Sequence, residues 1–140
     1  MREKILSKLF DMTETTDLNA RHGATLALGE IVLSLRGLER EDFIPGPLVG
    51  RGGQLVMKFR QRGQFKGMSG TYMKHGCASF IKNCSEAELP LEEEQIGELF
   101  AFYIILDIVI YVNMRMFLFQ NPGNLFWMNR LSTRKQLPGS

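Results

Sequence analysis

"DLNARHGATLALGEIVLSL", residues 17–35, is the stretch whose reading decides the fold. Asp17 opens it as a helix N-cap, because its carboxylate can accept from first-turn amides that have no partner within the helix. Ala20, Ala24, Ala27, Leu28, Ile31 and Leu35 then recur at helical spacing and form one stripe. Leu26, Val32 and Leu33 add apolar surface elsewhere on the same helix, so it is expected to have neighbours on more than one side. Gly37 is a natural stop. Upstream, Ile5, Leu6, Leu9 and Phe10 share one face of a shorter helix. Between the two, TETTD at 13–17 holds residues that compete with helical hydrogen bonding and favour turns. Residues 1–37 are therefore expected to be two antiparallel helices joined by a short polar turn.

Downstream the chain changes character. Residues 41–53 (EDFIPGPLVGRGG) contain two prolines and four glycines and read as a loop. Periodicity stays poor to about Gly70, with Gly63, Gly67 and Gly70 interrupting any long helix. The expectation is a Gly/Pro-rich linker over 38–72, in which 56–72 has the character of an insertion. A second helical segment follows over 73–98. It includes a helix to about Cys84 and another starting near Pro90, where Glu92, Glu93 and Glu94 suit the helix dipole. Residues 99–119 form a strongly apolar helix in this reading, and 120–140 a loop tail.

One regularity links the two helical segments. "RHGATLALGE" starts at Arg21, and "KHGCASFIKN" starts at Lys74, 53 residues on. HEAT-type helical repeats have periods of about 40–47 residues. Either the second unit carries extra residues or the echo is accidental.

The bulk numbers exclude several classes. At 140 residues the chain suits one domain with a single sizeable core. A hydrophobic share of 44% and a charged share of 23% are those of a globular protein. A formal net charge of +2, with basic residues scattered, gives no electrostatic case for nucleic acid or an anionic membrane. Two cysteines do not make a disulfide framework, and MREKILSKLF lacks the apolar core of a secretory signal. An intracellular protein with reduced thiols is expected.

The 17–35 block looks like the second helix of a HEAT repeat. Together, "TDLNARHGATLALGEIVLSL", "GRGGQL" and "MKHGCASFIKNCSEAELPL" resemble, in that order, the C-terminal half of the tubulin-folding cofactor D family. The resemblance covers about half the chain and stops near Gly97, and 56–72 has no counterpart in it. It implies an all-α fragment of HEAT-like solenoid, built of antiparallel helix pairs around a Gly/Pro-rich middle loop. It also implies a non-enzymatic chaperone scaffold for αβ-tubulin assembly, cytoplasmic and associated with the cytoskeleton. The implied partners are β-tubulin, the other tubulin-folding cofactors and an Arf-like small GTPase. Catalysis would be limited to a share in stimulating tubulin GTP hydrolysis, and no cofactor is implied.

Candidate partner-binding residues are Arg21, His22, Arg51, Gln54, Lys74 and His75. For Arg21 and His22 a structural reading competes: an arginine bonding across the inter-helix turn and a histidine packed at the helix start. His75, Cys77 and Cys84 invite a zinc reading, but 75 and 77 point to different helix faces and no CxxC or HxxxH pair exists, so buried thiols are expected. "GRGG" at 50–53 lacks the rest of a phosphate-binding motif and reads as a turn or helix lead-in. Residues 99–119 are long enough for a bilayer, which needs about 20 residues. Asp107 near their middle would cost about 2.5–3.5 kcal/mol there. Two readings of other classes thus remain open: a HEAT adaptor unrelated to tubulin, and a small protein anchored by 99–119.

Overall fold

The computed structural model describes residues 2–37, 44–106, 127, 129 and 130, and these form helices without a strand. The first two helices, α1 (Arg2–Met12) and α2 (Leu18–Ser34), fold back on one another through the turn at 13–17. Asp17 caps α2 as its sequence position requires, accepting from the Asn19 backbone N–H at 3.0 Å. On α1, Leu6 and Phe10 are buried and Leu9 partly so, but Ile5 is 49% exposed. Ile5 lies roughly 100° round the helix from Leu6, so the buried stripe is narrower than the apolar pattern suggests.

The linker expected over 38–72 is corrected. Helix α3 (Gly46–Gln61) occupies much of it, and α4 (Gly67–Glu86) begins well before residue 73. Pro45 precedes the helix and Pro47 lies in its first turn, where a missing N–H breaks no helical bond. The buried stripe of α3 is Leu48, Gly52, Leu55, Val56 and Phe59, a helical pattern with a glycine standing in one apolar position. Gly53 faces α5: a Cβ there would come 2.5 Å from the end of the Gln95 side chain, which would have to shift to admit it. Val56 and Phe59 are fully buried. The start of the stretch expected to be an insertion is therefore core, and Gly63 and Gly67, both at positive φ, make the α3–α4 turn.

The element that sets the architecture is the α2–α4 contact, the most extensive between any two helices described. Its direction is fixed at both ends. Near the start, a Cβ on Gly76 would lie 3.1 Å from the His22 ring; towards the end, one on Gly29 would lie 3.2 Å from the Phe80 Cα. Residue numbers rise together along both helices, so α2 and α4 are parallel. Asn83 donates from Nδ2 to Glu30 Oε1 at 3.5 Å, and these two residues are 53 apart. The internal echo is thus structural: equivalent positions of two helix pairs stand side by side, α1 with α2 and α3 with α4. Helices α1, α3 and α5 (Glu93–Leu106) make a second row beside them, α3 touching both of the others. This is an all-α helical-repeat arrangement.

The far end closes by a sharp reversal. Glu88, at φ 57, follows α4, and the N–H groups of Glu88 and Leu89 return to the carbonyls of Ser85 and Cys84, each at 3.0 Å. This is the Schellman pattern, which normally uses glycine and here turns Leu89 back into the core. Trp127 is fully buried and donates from its indole N–H to the Leu89 carbonyl at 3.1 Å, with Phe100 edge-on at 5.5 Å. One contiguous core runs from Leu6 to Trp127. The loop tail expected over 120–140 is corrected at this point, since Trp127, Asn129 and Arg130 are helical; the rest of that tail lies outside the described residues. Residues 99–106 are the end of α5, not a separate element, and 107–119 lie outside the described residues.

Two glycines of α2 should respond oppositely to substitution in urea unfolding. Nothing lies within 4 Å of a Cβ at Gly23, so Gly23→Ala should stabilise by about 0.5–1 kcal/mol. Gly29→Val drives branched bulk into the Phe80 backbone and should destabilise by about 1–3 kcal/mol. Trp127→Ala should lower stability by about 3–5 kcal/mol if the tail closes the core as described.

Candidate functional site

The six residues singled out by sequence separate into two groups on two faces. Arg21 is 5% exposed, and its guanidinium donates to the Thr15 and Thr16 carbonyls, each at 3.2 Å. It bonds across the α1–α2 turn, where two carbonyls would otherwise lack partners, and it offers almost nothing to a ligand. His22, the next residue, packs its ring over Gly76 of α4 and meets Tyr72 edge-on at 6.2 Å. Lys74 and His75 are both exposed on α4, but Lys74, two residues from Tyr72 and from Gly76, points to the far side of the helix. The surface formed at the starts of α2 and α4 thus gathers His22, Tyr72 and His75, with Met68 one turn before Tyr72.

Tyr72 and Met68 were not among the sequence candidates. They are 57% and 86% exposed, which makes them two of the few large apolar side chains left in solvent. Exposed aromatic and methionine side chains are enriched where proteins meet proteins. Their i, i+4 spacing ahead of "KHG" was readable, but the helix was expected to start only near Tyr72, which hid it.

Arg51 and Gln54 lie on α3, in the other row. Arg51 pairs with Asp11 at 3.1 Å and covers the Phe10 ring at 5.0 Å from its centroid. Gln54 borders a groove of about 360 Å³ between α3 and α5, lined also by Met57, Gln61, Glu94 and Glu98. Gln95 sits across Gly53 at its floor and accepts from the Glu92 N–H at 3.3 Å, the return bond of a capping box at the start of α5. "GRGG" lies inside α3 and leads into nothing else. Sequence reasoning also missed Lys58 and Arg62, which point with Arg51 at Glu14. They belonged to a stretch read as loop, so their shared helical face was invisible.

Cys77 and Cys84 are buried free thiols one above the other on α4. Burial pushes both thiols well above the ordinary value of 9.0, because a thiolate there would lose its hydration. Among the described residues no three His, Cys, Asp or Glu side chains gather where they could hold a metal ion. No described helix is long and apolar enough to cross a membrane. No protein-family model matches the chain, and no solved structure matches it.

The thiols give a pH dependence of known sign. Their folded pKa lies above the unfolded one, so the native state keeps protons that the unfolded chain releases above about pH 9. The thiols' contribution to stability should be level below that point and fall by about 1.4 kcal/mol per thiol for each further pH unit. Urea unfolding at neutral pH and near pH 10 should show the loss, and replacing both cysteines by alanine should abolish it.

Proposed function

We propose that the chain is a protein-binding helical scaffold of the tubulin-chaperone kind, acting on β-tubulin in αβ-heterodimer assembly. The observation that carries this reading is the coincidence of sequence and packing in α2 and α4. The blocks that resemble the cofactor D family, "ARHGATLALGE" and "KHGCASFIKN", are the two helices that stack in parallel at repeat-equivalent positions. Of the residues that mark those blocks, His22 and Gly29 on α2 and Gly76 and Asn83 on α4 make the stack. In this reading the starts of α2 and α4 meet the partner. Tyr72 and Met68 supply contact area, and His22 and His75 supply polar contacts around them.

The scaffold works by binding and not by a catalytic group. Its part in tubulin GTP hydrolysis is to help hold the assembly in which the other cofactors, and an Arf-like small GTPase, take part. It acts in the cytoplasm, with the tubulin cytoskeleton. Retention of purified αβ-tubulin by the immobilised chain is the direct test. Binding is expected, and Tyr72→Ala with Met68→Ala should weaken it by about tenfold or more, since each side chain is exposed and central to the surface. Absence of retention by a chain with native helicity would overturn the tubulin reading.

A further inference from the structure

Helix α3 and its C-cap residue carry three cations on one side. Arg51, Lys58 and Arg62 are spaced by seven and then four residues, which on a helix places them in a single row. All three reach towards one carboxylate: Glu14, at the turn after α1, lies 3.9 Å from Arg51, 3.9 Å from Lys58 and 4.0 Å from Arg62. None of these three contacts is within hydrogen-bond reach. The close pair in the cluster is Arg51 with Asp11 at 3.1 Å. Three cations therefore share two acids, and one of the acids is held loosely by all of them.

The setting favours recognition over mere solvation. The row is 28%, 38% and 40% exposed, open enough for a partner to reach. Its floor is apolar, formed by Phe10 and Leu55, with a gap of about 10 Å³ beside Thr13. Apolar walls strengthen a charge–charge contact made against them. The arginines present forked donors that match carboxylates, and the site already takes a pair of them, Asp11 and Glu14, about one helical turn apart.

We propose that the Arg51–Lys58–Arg62 row is a docking site for an acidic segment of a partner protein, with Glu14 standing where a partner carboxylate binds. Glu14 is 45% exposed and held at ion-pair distance only, so a partner carboxylate can displace it without breaking a hydrogen bond of the cluster to it. This inference does not rest on the tubulin reading: it concerns the α1–α3 side of the molecule, away from Tyr72 and His75, and is tested without tubulin.

The probe is a fluorescently labelled peptide of about ten glutamates, titrated with the full chain by anisotropy in ~0.1 M salt, where the Debye length is about 10 Å. Glu14→Gln removes the internal competitor and should tighten binding about threefold, while Lys58→Gln with Arg62→Gln should weaken it about tenfold, as expected for exposed pairs. Arg60→Gln with Lys82→Gln changes net charge equally, at exposed positions that line no part of the gap beside this row, and should leave the affinity within twofold of the starting chain. The proposal is overturned if Glu14→Gln leaves the affinity unchanged or weakens it. It is equally overturned if the two double variants weaken binding alike, because binding then follows net charge and not this row.

Discussion

Two glycines, one on each of the parallel helices α2 and α4, set the distance at which the helix pairs stack. Gly29 meets the Phe80 backbone and Gly76 meets the His22 ring, and a Cβ at either position would stand closer to its neighbour than side chains ordinarily do. That spacing brings Thr25, Val32, Cys77 and Ile81 into a layer with almost no exposure. Close approach gains dispersion contacts along the whole seam and excludes water from it. The rest follows from this seam. It makes α2 a helix buried on two flanks, it aligns the two sequence echoes side by side, and it leaves the starts of both helices facing solvent together.

Much of this was legible. Asp17, the TETTD turn and the small-residue stripe gave the first helix pair correctly, and Arg21 was readable as a residue bonding across that turn. The echo between Arg21 and Lys74 pointed to a repeat, but sequence alone offered no means of telling repeat from accident, because stacking direction is a tertiary property. The middle of the chain was misread for an identifiable reason. In α3 and at Gly70 of α4, glycines and prolines do not punctuate loops, although Gly63 and Gly67 do. Pro47 sits in a first turn, and Gly52, Gly53 and Gly70 sit where neighbours come close. A glycine used for packing is written with the same letter as one used for turning, and local propensity has no way to separate them. Trp127 was misread because its partner, the Leu89 carbonyl, is exposed to it only by the reversal at Glu88.

The two rows of helices carry different chemistry. Along α2 and α4 the open surface is aromatic and imidazole-bearing, with Tyr72, His22 and His75 at its centre. Along α1 and α3 it is ionic, with Asp11 and Glu14 set against Arg51, Lys58 and Arg62. Exposed ion pairs of this kind add little to stability, and neither open surface is part of the core, which is apolar from Leu6 to Trp127.

The central claim, that α2 and α4 stack in parallel at equivalent positions, is tested most directly by a designed cross-link. A Cβ at Gly29 would lie 3.6 Å from the Asn83 Cβ, inside the roughly 3.5–4.5 Å that a disulfide requires. With Cys77 and Cys84 replaced by alanine, a chain carrying Gly29→Cys and Asn83→Cys should oxidise to a single intramolecular disulfide under mild conditions, retaining its helicity. One carrying Gly29→Cys and Gly76→Cys should not. The reverse outcome, closure of 29 with 76 and none of 29 with 83, would mean antiparallel helices and would contradict the account.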